Sequence, residues 1–307
     1  MAASATRLAA GTFAQLRRTP RTIRMPAFRS LAPTVPTEIV CPLGVTYQAL
    51  EFRFTIAGAA ASEAQILAQV DEFKCTIDGD TKLQLSAAEI AAIQNCWAQR
   101  WNGQTNSIGG VFVINLSRPF DQEIEAQDGP AWGCAVGVEG GVGTFTLSVR
   151  TIAGATIDGV ECFAEVTPPT PLGRHLVYRS IGGQFTSAGD LIISDWPRLD
   201  LDVQMYALHL QKSGGVGNLI TEVQFKVDQV DEIERCRYEY IQAQFRRYGL
   251  VQQAGWVHIP FARRGRPLEG MPAVWQDGRL TLAASASLGN YKLIMEQLEG
   301  VDPATAG

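Results

Sequence analysis

Alternation of apolar and polar residues is the main pattern along this chain. Residues 47–56 (YQALEFRFTI) alternate in this way, and residues 73–77 (FKCTI) form a second run that ends in the turn sequence Asp78, Gly79, Asp80. Gly- and Pro-containing segments separate such runs, as is usual between β-strands. Strands are predicted in the first part of the chain at residues 47–56, 73–77, 111–116, 143–152 and 160–166.

One helix interrupts these strands. Ser86 followed by Glu89 has the spacing of a capping box, and apolar residues recur at i, i+3 and i+7 from Ile90. The pattern predicts a helix over residues 86–101.

A Pro-rich segment at residues 167–173 (TPPTPLG) divides the chain. The order of elements then repeats at a shift of roughly 130 to 150 positions, which favours a tandem duplication. The second part is predicted to contain strands at 203–211, 222–227, 255–261, 279–287 and 291–298, with a helix at about 229–248. Each part is predicted to be a sandwich or barrel of about eight strands with one inserted helix, with a jelly roll preferred.

Charge is distributed unevenly along the chain. The chain of 307 residues has 26 basic and 31 acidic residues, and residues 1–36 have six arginines and no acid. The remainder therefore carries 20 basic and 31 acidic residues, a net charge of −11. The arginines of this segment, here called the basic arm, are Arg7, Arg17, Arg18, Arg21, Arg24 and Arg29.

Two interpretations of the basic arm stay open. An acid-free, Arg-rich and Ala-rich start is typical of mitochondrial transit peptides. A basic arm on an acidic body also favours an anionic partner such as lipid head groups, nucleic acid or an acidic protein. Pro20, Pro26, Pro33 and Pro36 predict an extended or briefly helical arm rather than a packed domain.

Candidate chemistry is sparse. No nucleophile, phosphate-loop or metalloprotease motif is present, and the three histidines, His175, His209 and His258, lie in separate predicted elements. The six cysteines have no CxxC pairing, so we expect neither zinc nor disulfides, but buried thiols in a reducing compartment. The composition, with 46% hydrophobic residues and no apolar stretch long enough to span a bilayer, is that of a folded protein.

Three other groups of residues were weighed as sites. Close carboxylates could hold calcium, although Asp and Gly are also favoured in turns. These are Asp78 with Asp80, Asp200 with Asp202, and Asp231 with Glu232. The six tryptophans are expected in the core or at subunit contacts. The cluster Arg263, Arg264 and Arg266 is expected in a loop that makes subunit contacts.

Several segments in order resemble the major coat protein of corticovirus-type phages, which are tailless icosahedral viruses with an internal membrane. They are residues 41–47 (CPLGVTY), 171–173 (PLG), 184–189 (QFTSAG) and 291–300 (YKLIMEQLEG). The resemblance covers about residues 30–300, and the departures are the Ala-rich residues 1–20 and the insert 137–143 (GVEGGVG).

The resemblance implies an all-β double jelly roll: a basic arm at 1–36, jelly rolls at 37–167 and 171–300, and a tail at 301–307. It implies a non-enzymatic major capsid protein, without cofactors, that forms pseudo-hexagonal homotrimers tiling an icosahedral shell. The basic arm would face inward, toward membrane lipids or minor capsid and membrane proteins, with a penton or spike protein at the vertices and no sequence-specific nucleic acid. Synthesis in the cytoplasm of a bacterial host and a place in the virion follow from the same resemblance.

Two alternatives accompany this interpretation. A jelly-roll carbohydrate- or receptor-binding virion protein would need a loop with clustered aromatic residues and carboxylates, and residues 137–143 provide none. A cupin-type enzyme would need histidines close together on adjacent strands.

Overall fold

The computed structural model describes most of the chain: residues 20–29, 31–98, 107–108, 110–119, 129–196, 200, 202–212, 219–263 and 270–300. The strands lie in four sheets, two built from residues before the Pro-rich linker and two from residues after it. We call these two pairs of sheets the first and the second sandwich.

The first sandwich places its main strands in the orders β1-β11-β3-β8 and β2-β10-β5-β6. Its strands are β1 Arg21–Arg24, β2 Thr37–Val40, β3 Thr46–Ile56, β4 Ala59–Ala60, β5 Val70–Ile77, β6 Asp80–Leu85, β7 Ser107–Ile108, β8 Val111–Asn115, β9 Trp132–Gly133, β10 Phe145–Thr151 and β11 Gly159–Thr167.

The second sandwich repeats both orders, as β12-β20-β14-β17 and β13-β19-β15-β16. Its strands are β12 His175–Phe185, β13 Gly189–Ile193, β14 Gln204–Lys212, β15 Ile220–Val227, β16 Val230–Arg237, β17 Trp256–Pro260, β18 Met271–Pro272, β19 Gly278–Ala284 and β20 Gly289–Glu299. The same eight positions are filled in the same chain order in both sandwiches, so the predicted tandem jelly rolls are confirmed.

Matching turns and bulges extend the duplication to single residues. Asp78 and Asp228 each begin a two-residue hairpin turn with positive φ, 48° and 47°. The Oδ1 atom of Asp78 accepts hydrogen bonds from the backbone N–H of Gly143 (2.9 Å) and Thr144 (2.7 Å). Asp228 accepts the equivalent pair from residues 276 and 277. The aspartate therefore ties the hairpin turn to the start of a neighbouring strand in both sandwiches.

Among the described residues, three helices lie between strands: α1 Glu63–Gln69, α2 Ala87–Ala98 and α3 Tyr238–Arg247. The predicted capping box of α2 is confirmed, because Ser86 Oγ accepts from the Glu89 N–H and the Glu89 carboxylate accepts from the Ser86 N–H. Helix α1 was not predicted, so the expectation of one helix in each jelly roll is wrong for the first sandwich.

The predicted helix over 229–248 is wrong in its first half. Residues 230–237 form strand β16, which pairs with β15 along its length. Asp228 and Gln229 both have positive φ and close a hairpin turn without glycine, so the usual turn signal is absent. Most side chains of β16 are exposed, so the strand shows no clean alternation.

The predicted limit of the basic arm at residue 36 is also wrong. Residues 21–24 form β1, which pairs with β11 at the edge of a sheet. Met25 and Leu31 are buried beyond it. Backbone pairing and these two anchors make residues 21–29 and 31–36 part of the first sandwich. The predicted tail at 301–307 lies outside the described residues.

Candidate functional site: the seam between the two sandwiches

The two sandwiches meet along a polar contact that we call the seam. Its distinguishing feature is that strand β20 is buried along its whole second half, from Leu293 to Glu299, although it carries two glutamates there. The charged residues of the seam are Asp80, Lys82, Glu89 and Arg118 from the first sandwich and Arg179, Lys292, Glu296 and Glu299 from the second. The seam thus joins four cations to four carboxylates.

Glu296 is the centre of one buried cluster. Its carboxylate, 1% exposed, forms an ion pair with Arg118 and accepts a hydrogen bond of 2.9 Å from Trp97 Nε1. The Arg118 guanidinium, fully buried, lies 4.4 Å from the Trp97 ring centroid and 4.5 Å from that of Tyr206. Because Trp97 and Arg118 belong to the first sandwich, the cluster joins the two sandwiches.

Two histidines extend this cluster into the second sandwich. His209 Nε2 lies 3.3 Å from Glu296 Oε2, and its Nδ1 lies 2.7 Å from Nδ1 of His258. The two Nδ1 atoms share one hydrogen bond, and the ring tautomers set which of them donates. Burial and the neighbouring His209 hold the pKa of His258 well below its ordinary value. His258 is therefore neutral at physiological pH.

Glu299 is the centre of a second cluster at one end of the seam. It accepts hydrogen bonds from Lys82 Nζ (3.1 Å) and Arg179 Nη2 (2.8 Å). Arg179 also binds Asp80 through both terminal nitrogens, at 3.0 and 3.1 Å. His175 Nε2 lies 3.8 Å from Glu299.

The other end of the seam has a third charged contact. Lys292 Nζ lies 2.8 and 2.9 Å from the two carboxylate oxygens of Glu89, at the first turn of α2. A neutral hydrogen bond also crosses between the sandwiches, from Trp132 Nε1 to the Leu176 carbonyl (2.8 Å).

Electrostatics favour the ionised form of both central glutamates. Burial raises the pKa of Glu296, but the Arg118 charge and the hydrogen bonds from His209 and Trp97 outweigh it and place the pKa below its ordinary value. Burial likewise raises the pKa of Glu299, while Arg179 and Lys82 lower it overall. Each buried carboxylate is matched by cations from across or along the seam, so the arrangement holds the two sandwiches in one relative position.

Arg7, Arg17 and Arg18 of the basic arm lie outside the described residues. Arg21 and Arg24 lie on β1 and are exposed, and Arg24 pairs with Glu161 on β11 at 3.0 Å. Arg29 is exposed beyond that strand. The structure therefore places half of the predicted arginines at the edge of the first sandwich rather than on a separate arm.

The structure also locates the other candidate groups. All three histidines are buried, and two of them approach the seam glutamates. Asp80 pairs with Lys82 and Arg179, and Asp78 supports its turn. In the described part of the chain, no three His, Cys, Asp or Glu side chains are grouped to hold a metal ion, and no helix is long and apolar enough to cross a bilayer.

The six cysteines are free thiols. Five are buried, as expected, and Cys236 is half-buried. Burial raises the pKa of Cys134 to about 12. Such thiols pack as small apolar groups and are poor nucleophiles.

Sequence reasoning singled out Asp80, as a possible calcium ligand, and missed the other seam residues. Arg118 and Glu296 are far apart in the chain, and no local pattern links them. The one available signal was the occurrence of Lys292, Glu296 and Glu299 in an otherwise apolar final strand. Charged residues in an otherwise apolar strand indicate that a second, oppositely charged surface packs against the sheet there.

Comparison with known families identifies the first sandwich. Residues 22–167 match the profile of the viral coat protein P2 N-terminal domain. The first sandwich is therefore similar to that domain. The match begins within β1, at residue 22, in agreement with the pairing that assigns residues 21–24 to the first sandwich, and it confirms the resemblance seen in the sequence.

Solved capsid proteins share the fold over both sandwiches. The major capsid protein P2 from bacteriophage PM2 has a TM-score of 0.77 at 16% identity, covering 92% of this chain and 97% of that one. The STIV MCP has a TM-score of 0.60 at 12% identity (92% and 97% covered), and the PBCV-1 virus capsid 0.60 at 10% (92% and 95% covered). No curated protein sequence matches significantly.

The described chain therefore has the double jelly-roll fold of these viral major capsid proteins. The polar groups of the seam bind one another across the two sandwiches.

Proposed function

We propose that this protein is a non-enzymatic major capsid protein of a virion, and that it assembles as homotrimers whose six jelly rolls form pseudo-hexagonal capsomers in an icosahedral shell. The observation that supports the proposal is the repeated strand order of two sandwiches held by a buried ionic seam. Three chains supply six similar sandwiches, and a unit with six similar corners can tile a flat facet although its symmetry is only threefold.

The test of this proposal is the mass of the purified, untagged protein by light scattering, with negative-stain imaging of the same sample. A mass of three chains with hexagonal outlines, or closed shells, is the expected result. A monomer over the whole accessible concentration range, with no particles on the grid, would contradict it.

We further propose that the basic arm faces the inside of the shell and binds an anionic membrane. Arg7, Arg17 and Arg18 precede the first strand, and Arg21 and Arg24 continue the positive charge along its exposed side. Each arginine near an anionic lipid surface contributes about 1 kcal/mol. Many weak arms in one shell would together hold it to the membrane.

The truncation that tests this must stop before residue 20, because β1 belongs to the first sandwich. Full-length protein is expected to co-sediment with vesicles containing phosphatidylglycerol and not with pure phosphatidylcholine vesicles, and the variant lacking residues 1–19 is expected to lose this binding while keeping its oligomeric mass. Equal sedimentation of both proteins with the anionic vesicles would refute the role of the arm.

A further inference from the structure

Two histidines lie on the seam face of the second sandwich. His209 of β14 lies directly opposite His258 of β17, and it also lies opposite Ile294 of β20. Opposite residues share a face of the sheet, and Glu296, two residues along β20 from Ile294, lies on that face as well. His209 and His258, here called the histidine pair, therefore face the first sandwich across the seam rather than the interior of their own sandwich.

The histidine pair has room for a limited number of protons. Two neutral imidazoles carry two protons on four nitrogens. The 2.7 Å between the two Nδ1 atoms leaves space for one proton between them, so the other proton is on one of the two Nε2 atoms. A third proton would therefore leave both Nε2 atoms protonated, including that of His258.

The surroundings of His258 do not accept that proton. His258 is fully buried, and among the described residues its Nε2 has no hydrogen-bond partner. The ring packs against Trp256 and Phe245, at centroid distances of 5.8 and 6.4 Å. An added proton would leave a buried N–H unsatisfied and would place a positive charge in an apolar site.

The charged groups around the pair do not offset an added proton either. The titratable and charged groups that surround it are Arg118 from the segment after β8, Cys96 from α2, Tyr178 from β12, Tyr238 from α3 and Glu296 from β20. Burial raises the pKa of both tyrosines, so both are neutral phenols. Glu296 is already matched by Arg118, and Lys292, further along the seam, by Glu89. A protonated pair would thus place a second cation opposite Arg118 across the seam.

We propose that the histidine pair makes the seam an acid-sensitive latch: in mildly acidic solution the two sandwiches separate at the centre of the seam while each sandwich stays folded. Because the pair lies on the seam face, separation of the sandwiches lets water and counterions reach both rings without opening the second sandwich. The inference concerns a single chain and does not depend on the trimer proposed above.

The direction of the pH dependence follows from burial. Burial and the neighbouring His209 hold the pKa of His258 well below its ordinary value in the closed seam. Contact with water in the open seam would return this pKa toward about 6.5. Protons therefore bind preferentially to the open form below about pH 6.5, and the closed form is favoured above it. One proton taken up on opening changes the equilibrium by at most about 10-fold per pH unit, or about 30-fold from pH 6.5 to pH 5.

The third histidine lies at the end of the seam that should stay closed. His175 Nδ1 lies 2.7 Å from the carbonyl of Gly173, which can only accept, so Nδ1 carries a proton. Its Nε2 lies 3.8 Å from Glu299. A proton added to this Nε2 would face a carboxylate. Acid therefore leaves the linker end of the seam paired, and the two sandwiches hinge there.

Buried thiols can report which part of the chain opens. Cys96 lies on α2 close to Tyr238 of the second sandwich, and its backbone carbonyl accepts a hydrogen bond from Val251 across the seam. Four other thiols are neighbours inside the first sandwich: Cys41, Cys75, Cys134 and Cys162. Cys96 therefore reports separation of the sandwiches, and the other four report unfolding of the first sandwich.

The test is labelling of the purified protein with 4,4′-dithiodipyridine, which reacts with thiols in acid, followed by mass spectrometry of the labelled peptides. Rates at about pH 7.5 and about pH 5 are each divided by the rate of the same cysteine in the urea-unfolded chain at the same pH. The corrected rate at Cys96 is expected to rise roughly 10- to 30-fold at the lower pH. The four thiols inside the first sandwich are expected to keep their rates.

Histidine variants separate the pair from the rest of the seam. The double variant H209Q/H258F has no titratable imidazole at the centre, and its Cys96 rate is expected to be independent of pH. His258→Phe, which keeps a ring in the same space, is expected to reduce the rise and serves if the double variant does not fold. His175→Gln is the matched control and is expected to keep the wild-type response.

Four results would each overturn the latch. They are labelling of all five thiols together in the wild type, which would mean unfolding, no rise at Cys96, an undiminished rise in His258→Phe, and loss of the response in His175→Gln.

Discussion

Removal of the buried arginine at the seam gives the sharpest test of how the two sandwiches are held. In Arg118→Met, the carboxylate of Glu296 stays buried and loses its cation, keeping only its hydrogen-bond partners Trp97 and His209. Breaking one side of such a pair costs about 3–5 kcal/mol. At about 2 °C per kcal/mol for a chain of this size, the unfolding temperature at pH 7 should fall by roughly 6–10 °C.

The pH dependence of the unfolding temperature distinguishes the loss of the Arg118 charge from the loss of its packing. In the wild type, the pKa of Glu296 lies below its ordinary value, so its contribution to stability is present above about pH 4.3 and is lost as pH falls. In Arg118→Met, burial dominates and raises the pKa of Glu296, so the variant loses stability as pH rises above about 4.3. The difference in unfolding temperature should therefore be largest near neutral pH and should narrow toward pH 4.

Two further variants control this experiment. Arg150→Met removes an arginine from a half-exposed pair with Asp71, and it should cost less than about 1 kcal/mol. The double variant R118M/E296L replaces both charges by apolar side chains and should recover most of the lost stability. An unfolding temperature of Arg118→Met that is within 2 °C of wild type, or a loss that is independent of pH, would refute the reasoning.

Three other predictions concern the turns, the buried histidine and the thiols. Asp78→Ala and Asp228→Ala should each lower the free energy of unfolding by about 1 kcal/mol in urea titrations, because each removes two hydrogen bonds to the neighbouring backbone; an effect in only one sandwich would count against their equivalence. Since the pKa of His258 is held low in the folded chain, protons bind preferentially to the unfolded chain below about pH 6.5, and the free energy of unfolding of the wild type should fall there. The free energy of unfolding should depend less steeply on pH in His258→Phe. An unchanged pH dependence in that variant would contradict the prediction. Ellman's reagent should modify Cys236 before the five buried thiols. Equal rates of modification at all six thiols would contradict this prediction, because the reagent would then reach the interior of the first sandwich as easily as Cys236.

Local elements with strong short-range signals were predictable. The capping box of Ser86 and Glu89 and the Asp78-Gly79 turn need only neighbouring residues, and both are present in the structure. Strand β3 was recognisable because, from Glu51 onward, Phe52 and Phe54 are buried on one face while the residues between them are partly or fully exposed on the other. The Pro-rich linker marked the division into two sandwiches.

Elements without a one-sided pattern were not predictable. Strand β16 is an edge strand whose residues are mostly polar, and its turn at Asp228 and Gln229 lacks glycine. Strand β1 was assigned to the basic arm because four residues with two arginines show no alternation; only its pairing with β11 makes it part of a sheet.

The sequence by itself determined the class of the fold, its duplication and the resemblance to coat proteins, because these depend on local periodicity and on the order of segments. Only the tertiary structure decided which charges are buried. Arg118 and Glu296 are ordinary charged residues in the sequence, and they become a matched pair only when the second sandwich packs against the first. A buried charge needs a specific partner at contact distance, and contact between distant segments is a property of the folded chain rather than of any local pattern.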